Sequence, residues 1–181
     1  MTKSINIVTL TEHEISGDLQ SQLAALLEEC FPNWFAGRTY VKQLPHLRIL
    51  AMDAGIVVGQ VSIDGRIINV GGKVLSIFGV LDVAVSSDRQ GNGIASTLLA
   101  EVERLARTGN REFLVVMADR QNVYLKNGYS RVQPARTKLL AIEDRQSVAV
   151  IEKDLSSCFM IKPLTERAWP QGTIDLLGYV F

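Results

Sequence analysis

The residues of this chain whose types and spacing could do chemistry gather where an apolar run meets a helical pattern, in VLDVAVSSDRQGNGIASTLLAEVERLA, Val80 to Ala106. A helix start presents four backbone N–H groups without intrahelical partners, at the positive end of the macrodipole, and so attracts anions. Gly91 and Gly93 carry no side chain to block the approach. Gln90 and Asn92 bring amide donors, and Ser96 can face the same ligand from the first turn. The chemistry such a stretch suits is the holding of a phosphate or diphosphate.

Of two known schemes of that kind, the neighbouring residues rule out one and weigh against the other. A P-loop needs Lys and then Ser or Thr after its last glycine, where this chain has Ile94 and Ala95. A dinucleotide fingerprint needs GxGxxG or GxGxxA in the first βαβ unit of a doubly wound sheet, whereas Ser96 ends this one and several antiparallel strands precede it. A plain tight joint between strand and helix stays open beside the anion site.

The elements that position this stretch follow from periodicity and turn residues. Ile5 to Thr11 reads as a strand, and Leu19, Leu23, Leu26, Leu27 and Cys30 repeat at helical spacing. A second short helix is expected over Asn33 to Leu44. Extended pieces follow at Leu47–Asp53, Val57–Asp64, Arg66–Asn69 and Val74–Val85, with hairpin turns expected at Asp53-Ala54-Gly55, Asp64-Gly65 and Gly71-Gly72. The helix from about Gly93 to Arg107 buries a stripe of Ile94, Leu98, Val102 and Leu105 and stops near Gly109. Glu112–Ala118 reads as a strand buried on both faces in parallel pairing, which completes a βαβ unit. A shorter helix covers Arg120 to Lys126 and ends at Asn127-Gly128. Arg136–Ile142, Cys158–Leu164 and Thr173–Phe181 are extended again, and Glu143–Ser147 is a loop or helix start. The class is α/β, in the sense of α+β elements around one mixed sheet, and residues 1–181 form a single domain.

Composition narrows the partners. Nineteen basic and nineteen acidic residues cancel, so the electrostatic footprint of a nucleic-acid binder is missing. Cys30 and Cys158 match no metal spacing and read as reduced, buried thiols, and no metal site is expected. The start MTKSINIVTLTEHE lacks the pattern of a secretion signal, and no apolar run could cross a bilayer. A cytoplasmic protein without membrane attachment is the expectation.

Two segments together carry a resemblance. Gln90-Gly91-Asn92-Gly93-Ile94-Ala95 matches the Q/R-x-x-G-x-G/A signature of the GNAT superfamily of acyl-CoA-dependent N-acyltransferases. Downstream, Tyr124-Leu125-Lys126-Asn127-Gly128-Tyr129 resembles that family's Y-x-K-x-G-F/Y segment. The resemblance covers Leu47 to Val132 well and implies a mostly antiparallel sheet with a central parallel βαβ splay and helices on both faces. Residues 74–132 would be the cofactor-binding core and 133–181 the C-terminal strands. It further implies acetyl-CoA as cosubstrate. Backbone groups around Val83, Ala84 and Val85 would hold the pantetheine arm, and Gln90 to Ser96 the pyrophosphate, with Asp119 beside the arm.

The implied reaction is transfer of an acetyl group to a primary amine of a small molecule or peptide by direct attack in a ternary complex. Tyr124 is the implied general acid for the leaving thiolate, since a phenol is protonated at neutral pH. Asp82 is the nearest carboxylate for a base, and a bulge must decide where it points, because alternation sets it opposite Leu81 and Val83. The position where some members carry a strand Glu falls near Gly79. Asp119 is a second candidate base, with capping of the next helix as its other reading. Phe31, Trp34, Phe35, Tyr40 and His46 are expected as an aromatic lining for the acceptor or as core. Ala168–Asp175 with Leu176–Phe181 resembles the ending of GNAT proteins related to aminoglycoside 2′-N-acetyltransferases and nodulation acyltransferases. A non-catalytic acyl-CoA sensor and an acyltransferase with a longer donor are the alternative readings. A sheet edge near the C-terminus could pair with a second copy as a homodimer.

Overall fold

The computed structural model describes residues 5–181, which divide into two compact units. Unit 1 comprises residues 5–64 and 81–102, and unit 2 comprises 65–80 and 103–181. Three elements contribute to both: strand β3 (Ile56–Val70), strand β4 (Lys73–Val85) and helix α2 (Ile94–Thr108).

Unit 1 begins with β1 (Asn6–Thr11) and α1 (Gly17–Cys30), then β2 (Leu47–Asp53). The Ser16 hydroxyl accepts from the Leu19 N–H at 3.3 Å and so starts α1. Its helical spacing buries Leu23, Leu26 and Leu27 against Phe35, Leu50, Val57 and Ala84. β2 pairs antiparallel with β1 and with β3, its register running from Leu47–Ile63 to Asp53–Ile56. The helix expected over Asn33–Leu44 is absent, and the segment is a series of turns. Asn33 and Ala36 adopt φ of 65° and 50°, which interrupts any helical run.

β3 also corrects an expectation, because its fifteen residues run straight through Asp64-Gly65. Asp64 is buried and its carboxylate meets His46 Nδ1 at 2.9 Å, so it does not turn toward solvent. The turn expected at Asp53-Ala54-Gly55 and the one at Gly71-Gly72 are both present, with positive φ at Ala54, Gly55, Gly71 and Gly72. Local turn chemistry lost at Asp64-Gly65 to pairing partners on either side.

Unit 2 orders its strands as β6-β9-β5-β4-β3-β10-β7-β8. Here β5 is Phe113–Met117, β6 Ser130–Arg131, β7 Arg136–Glu143, β8 Gln146–Asp154, β9 Phe159–Pro163 and β10 Ile174–Asp175, while α3 spans Asn122–Lys126. β4 and β5 are parallel over Ile77–Phe113, Phe78–Leu114 and Gly79–Val115. The fold is thus a mixed α/β arrangement, antiparallel apart from this pair and the parallel β10–β7 pair. Its core holds Ile68, Leu75, Ile77, Phe113, Val115 and Phe159, with Trp169 edge-on to Phe113 at 5.0 Å.

Other boundaries shift for local reasons. α2 stops two residues past the buried Ala106, with Asn110 rather than Gly109 in the left-handed region at φ 53°. Glu143–Ser147 is a hairpin in which Asp144 and Arg145 take φ of 45° and 64°, so β8 follows directly. Of the stretch Thr173–Phe181 only Ile174–Asp175 is strand, and backbone bonds hold the rest, with the Leu176 N–H donating to the Lys138 carbonyl at 3.0 Å and the Leu140 N–H to the Gly178 carbonyl at 2.7 Å. The two cysteines are free and only partly buried.

Candidate active site

Within unit 1, β4 carries Leu81, Asp82, Val83, Ala84 and Val85 into the glycine turn. Leu81, Asp82 and Val83 are all half-buried, which breaks the alternation of a regular strand. At the centre of the break Asp82 has φ of 51°, a left-handed conformation costing about 1–2 kcal/mol for a residue other than glycine. Its backbone carbonyl accepts from Gln60 Nε2. Burial pushes the Asp82 carboxyl up to about 6, against the opposing pull of the Arg48 and Lys42 charges. A carboxyl at that value is ionised and still basic near neutral pH.

The glycine turn then delivers the start of α2. Gly91 and Gly93 have φ of 80° and 79°, so the backbone itself demands glycine there. A Cβ at either position would meet nothing within 4 Å. Close helix-to-strand packing is instead provided by Gly59, whose missing Cβ would lie 3.0 Å from Ile94 Cγ2 and 3.3 Å from the Ala84 carbonyl. The space before α2 is therefore open, and the helix start offers its N–H groups to an anion. Ile94 is buried, so its backbone alone can serve a ligand, while Ser96 is exposed and Ala95 half-buried.

The amides of Gln90 and Asn92 build the turn. Gln90 Nε2 donates to the Val85 carbonyl at 3.0 Å, and Asn92 Nδ2 donates to the Arg89 carbonyl at 3.1 Å. The Val85 carbonyl also accepts from Cys30 Sγ at 3.5 Å. The turn is further pinned by Glu29 Oε1, which accepts from the Ser87 N–H at 2.7 Å, and by the Arg89–Asp53 ion pair at 2.7 Å.

Tyr124 and Asp119 belong to unit 2. Tyr124 is 8% exposed on α3, edge-on to Tyr129 at 5.5 Å and 76°. The Tyr129 hydroxyl is buried without a hydrogen-bond partner, and burial first, then the neighbouring Tyr124 and Glu103, raises its pKa far above the ordinary phenol range. Lys162 braces the end of α3, bonding Glu103 at 2.5 Å and the Asn127 carbonyl at 2.8 Å. Asp119 is exposed and does not cap α3, whose N-cap is Gln121 without a side-chain bond. The short link after β5 places Asp119 two residues too early for that role.

At Gly79, where the resemblance places a strand Glu in some members, glycine has a steric reason. A Cβ there would stand 2.6 Å from the Phe181 ring. Arg66 fixes that ring, lying 5.0 Å over Phe181 and 4.4 Å over Tyr179 while donating to the Tyr179 carbonyl at 2.6 Å.

Of the aromatic lining expected in unit 1, Phe35 is wholly core, Trp34 is 63% exposed, and Phe31 packs on Phe35 at 5.8 Å. Tyr40 stacks with Arg38 at 5.7 Å, and His46 is taken by Asp64. Arg48 and Gln60 went unrecognised in the sequence. Their signal was a polar residue inside each apolar run, LRILAM and IVVGQVSI. Among the described residues no group of three or more His, Cys, Asp or Glu could hold a metal ion, and no helix is long and apolar enough to cross a membrane.

Residues 6–132 match the profile of the acetyltransferase (GNAT) domain. The fold is similar to a GNAT family N-acetyltransferase of Escherichia coli solved with CoA, at 16% identity and TM-score 0.65, covering 97% of this chain and 92% of that one. It is also similar to a GNAT family acetyltransferase of Brucella melitensis solved with acetyl-CoA, at 17% identity and TM-score 0.60, covering 93% and 94%. A GCN5-related N-acetyltransferase of Kribbella flavida matches at 16% identity and TM-score 0.55 over 70% of this chain and 33% of its own. Among curated proteins no sequence matches this one.

Proposed function

Because the chain belongs to the GNAT acetyltransferase family, we propose that it moves the acetyl group of acetyl-CoA onto a primary amine of a small molecule or peptide. The observation that carries the reading is the open helix start, where two left-handed glycines leave unobstructed space before α2. That cradle fits a diphosphate, which backbone dipoles neutralise without a lysine. Backbone groups of Val83 and Ala84 and the Val85 N–H anchor the pantetheine arm in this reading, the Val85 carbonyl being engaged by Gln90 and Cys30.

In the reaction the amine nitrogen attacks the thioester carbonyl carbon, a C–N bond forms and the C–S bond breaks. Asp82 takes a proton from the amine, and Tyr124 gives one to the departing sulfur, so that amide and CoA thiol result. A second copy would add along β8, the outer strand, where Val148 and Val150 are 58% and 61% exposed. Sedimentation of the Val150→Lys variant against wild type tests that pairing, which an unchanged, monomeric wild type would exclude.

Isothermal titration with acetyl-CoA, with NADH and a long-chain acyl-CoA as comparisons, is the deciding experiment for the reading. Binding of acetyl-CoA alone, followed by thiol release with an amine acceptor, is the expected result. Preference for the long-chain donor would change the acyl group, and binding without thiol release for any amine would make the protein a sensor.

A further inference from the structure

Unit 1 buries three polar side chains to which acetyl transfer assigns no role: Arg48, Gln60 and Ser62, each with no exposed surface. Arg48 Nε meets Glu12 Oε2 at 2.7 Å, and its Nη2 reaches Glu12 Oε1 at 3.2 Å and the Thr39 carbonyl at 2.9 Å. Nη1 donates to Ser62 Oγ at 3.2 Å and Gln60 Oε1 at 3.4 Å. The Ser62 hydroxyl donates to the same Gln60 oxygen at 3.2 Å. Two donors converging on Oε1 decide the orientation of the Gln60 amide. Its Nε2 must then face the other way, where it donates to the backbone carbonyl of Asp82.

That carbonyl belongs to the left-handed residue of β4. A strained conformation of this kind persists only where surrounding contacts over-determine it. We propose that Gln60, oriented by Arg48 and Ser62, is a positioning residue for acetyl transfer: its amide holds the Asp82 peptide in its left-handed conformation and so aims the Asp82 carboxyl at the acceptor amine. The inference rests on the role proposed for Asp82. The charged groups acting on that carboxyl are Arg48 from β2 and Lys42 from the turns before it, and Glu12 already pairs with Arg48.

The test uses Gln60→Met, which keeps length and volume but removes the amide. Arg48 keeps Glu12, Thr39 and Ser62, so the fold is expected to hold. With 13C-labelled aspartate and Asp82→Asn for assignment, NMR follows the Asp82 carboxyl through a pH titration of the free protein. In Gln60→Met its midpoint is expected to fall from about 6 toward the ordinary carboxylate range as the half-buried side chain gains solvent. The expected kcat is about 10- to 100-fold lower, with KM for acetyl-CoA within about twofold, since a misplaced group costs rate rather than binding. Ser62→Ala, which leaves Arg48 to hold the amide, shows the same changes at smaller size and decides the matter if Gln60→Met does not fold. An unchanged midpoint and kcat in the folded Gln60 variant would overturn the inference. Wild-type kcat and pH profile in Asp82→Asn would instead overturn the role of Asp82, while the NMR midpoint still reports what Gln60 does.

Discussion

Strand β4 has two characters. Around Gly79 it is closed, since a Cβ would stand 2.6 Å from a ring that Arg66 holds in place. From Asp82 to Gly93 the chain is open and contorted, with left-handed backbone at Asp82, Gly91 and Gly93 and empty space where the glycine side chains would be. One glycine is required for want of room, the others for want of a permitted backbone. Only the second situation leaves space for a ligand, so glycine content alone does not mark a binding site.

The largest expected effect comes from removing the chemistry of the open stretch. Asp82→Asn tolerates the left-handed backbone but loses the base, and kcat is expected to fall about 100-fold at pH 8. In the wild type kcat/KM rises as pH passes through about 6, where the Asp82 carboxyl ionises; a profile without that limb would remove Asp82 from the reaction.

Next is Gly91→Asp, which sets a carboxylate before the helix start and should weaken acetyl-CoA about 10- to 100-fold by titration calorimetry. Gly91→Asn adopts the same backbone without charge and should lose less than about threefold. Equal losses would mean that geometry, and not anion binding, explains the turn.

In the closed region Gly79→Ala is expected to cost about 1–3 kcal/mol through overpacking. The melting temperature would fall by roughly 3–9 °C. Adding Phe181→Ala should return part of it. A single variant as stable as wild type would show that the ring moves aside freely.

The smallest effect separates stability from activity. The Asp82 carboxyl titrates near 6 when folded against about 3.8 ordinarily, so the folded state holds its proton more tightly. Its contribution is therefore greatest below about pH 4, declines as pH rises through 6, and stays lost above. Asp82→Asn should thus gain about 1–2 kcal/mol over wild type at pH 7.5 and nothing near pH 4, by urea denaturation at the two pH values. A gain at both would place its origin elsewhere.

Much of this was readable from local pattern. The stripe Ile94, Leu98 and Val102 is buried as its spacing demands, and β2 has the bounds its apolar run suggests. Asp64-Gly65 misled because a turn signal reports only intrinsic preference, while His46 and the flanking strand pairs decide the outcome. The expected helix at Asn33–Leu44 failed similarly, its left-handed Asn33 and Ala36 lying beyond what periodicity can register. In the site, Gln90 and Asn92 were recognised as belonging to the glycine turn, but their amides serve its backbone.

By itself the sequence determined the βαβ core, the glycine demand at 91 and 93, and the family, because each depends on residues close together in the chain or on a motif. Only the tertiary structure decided that Gly79 is closed by Phe181, that Asp82 takes a left-handed backbone, and that Gln60 reaches its carbonyl. Those are matters of space and hydrogen-bond assignment among residues distant in sequence, and no local propensity encodes which of them will meet.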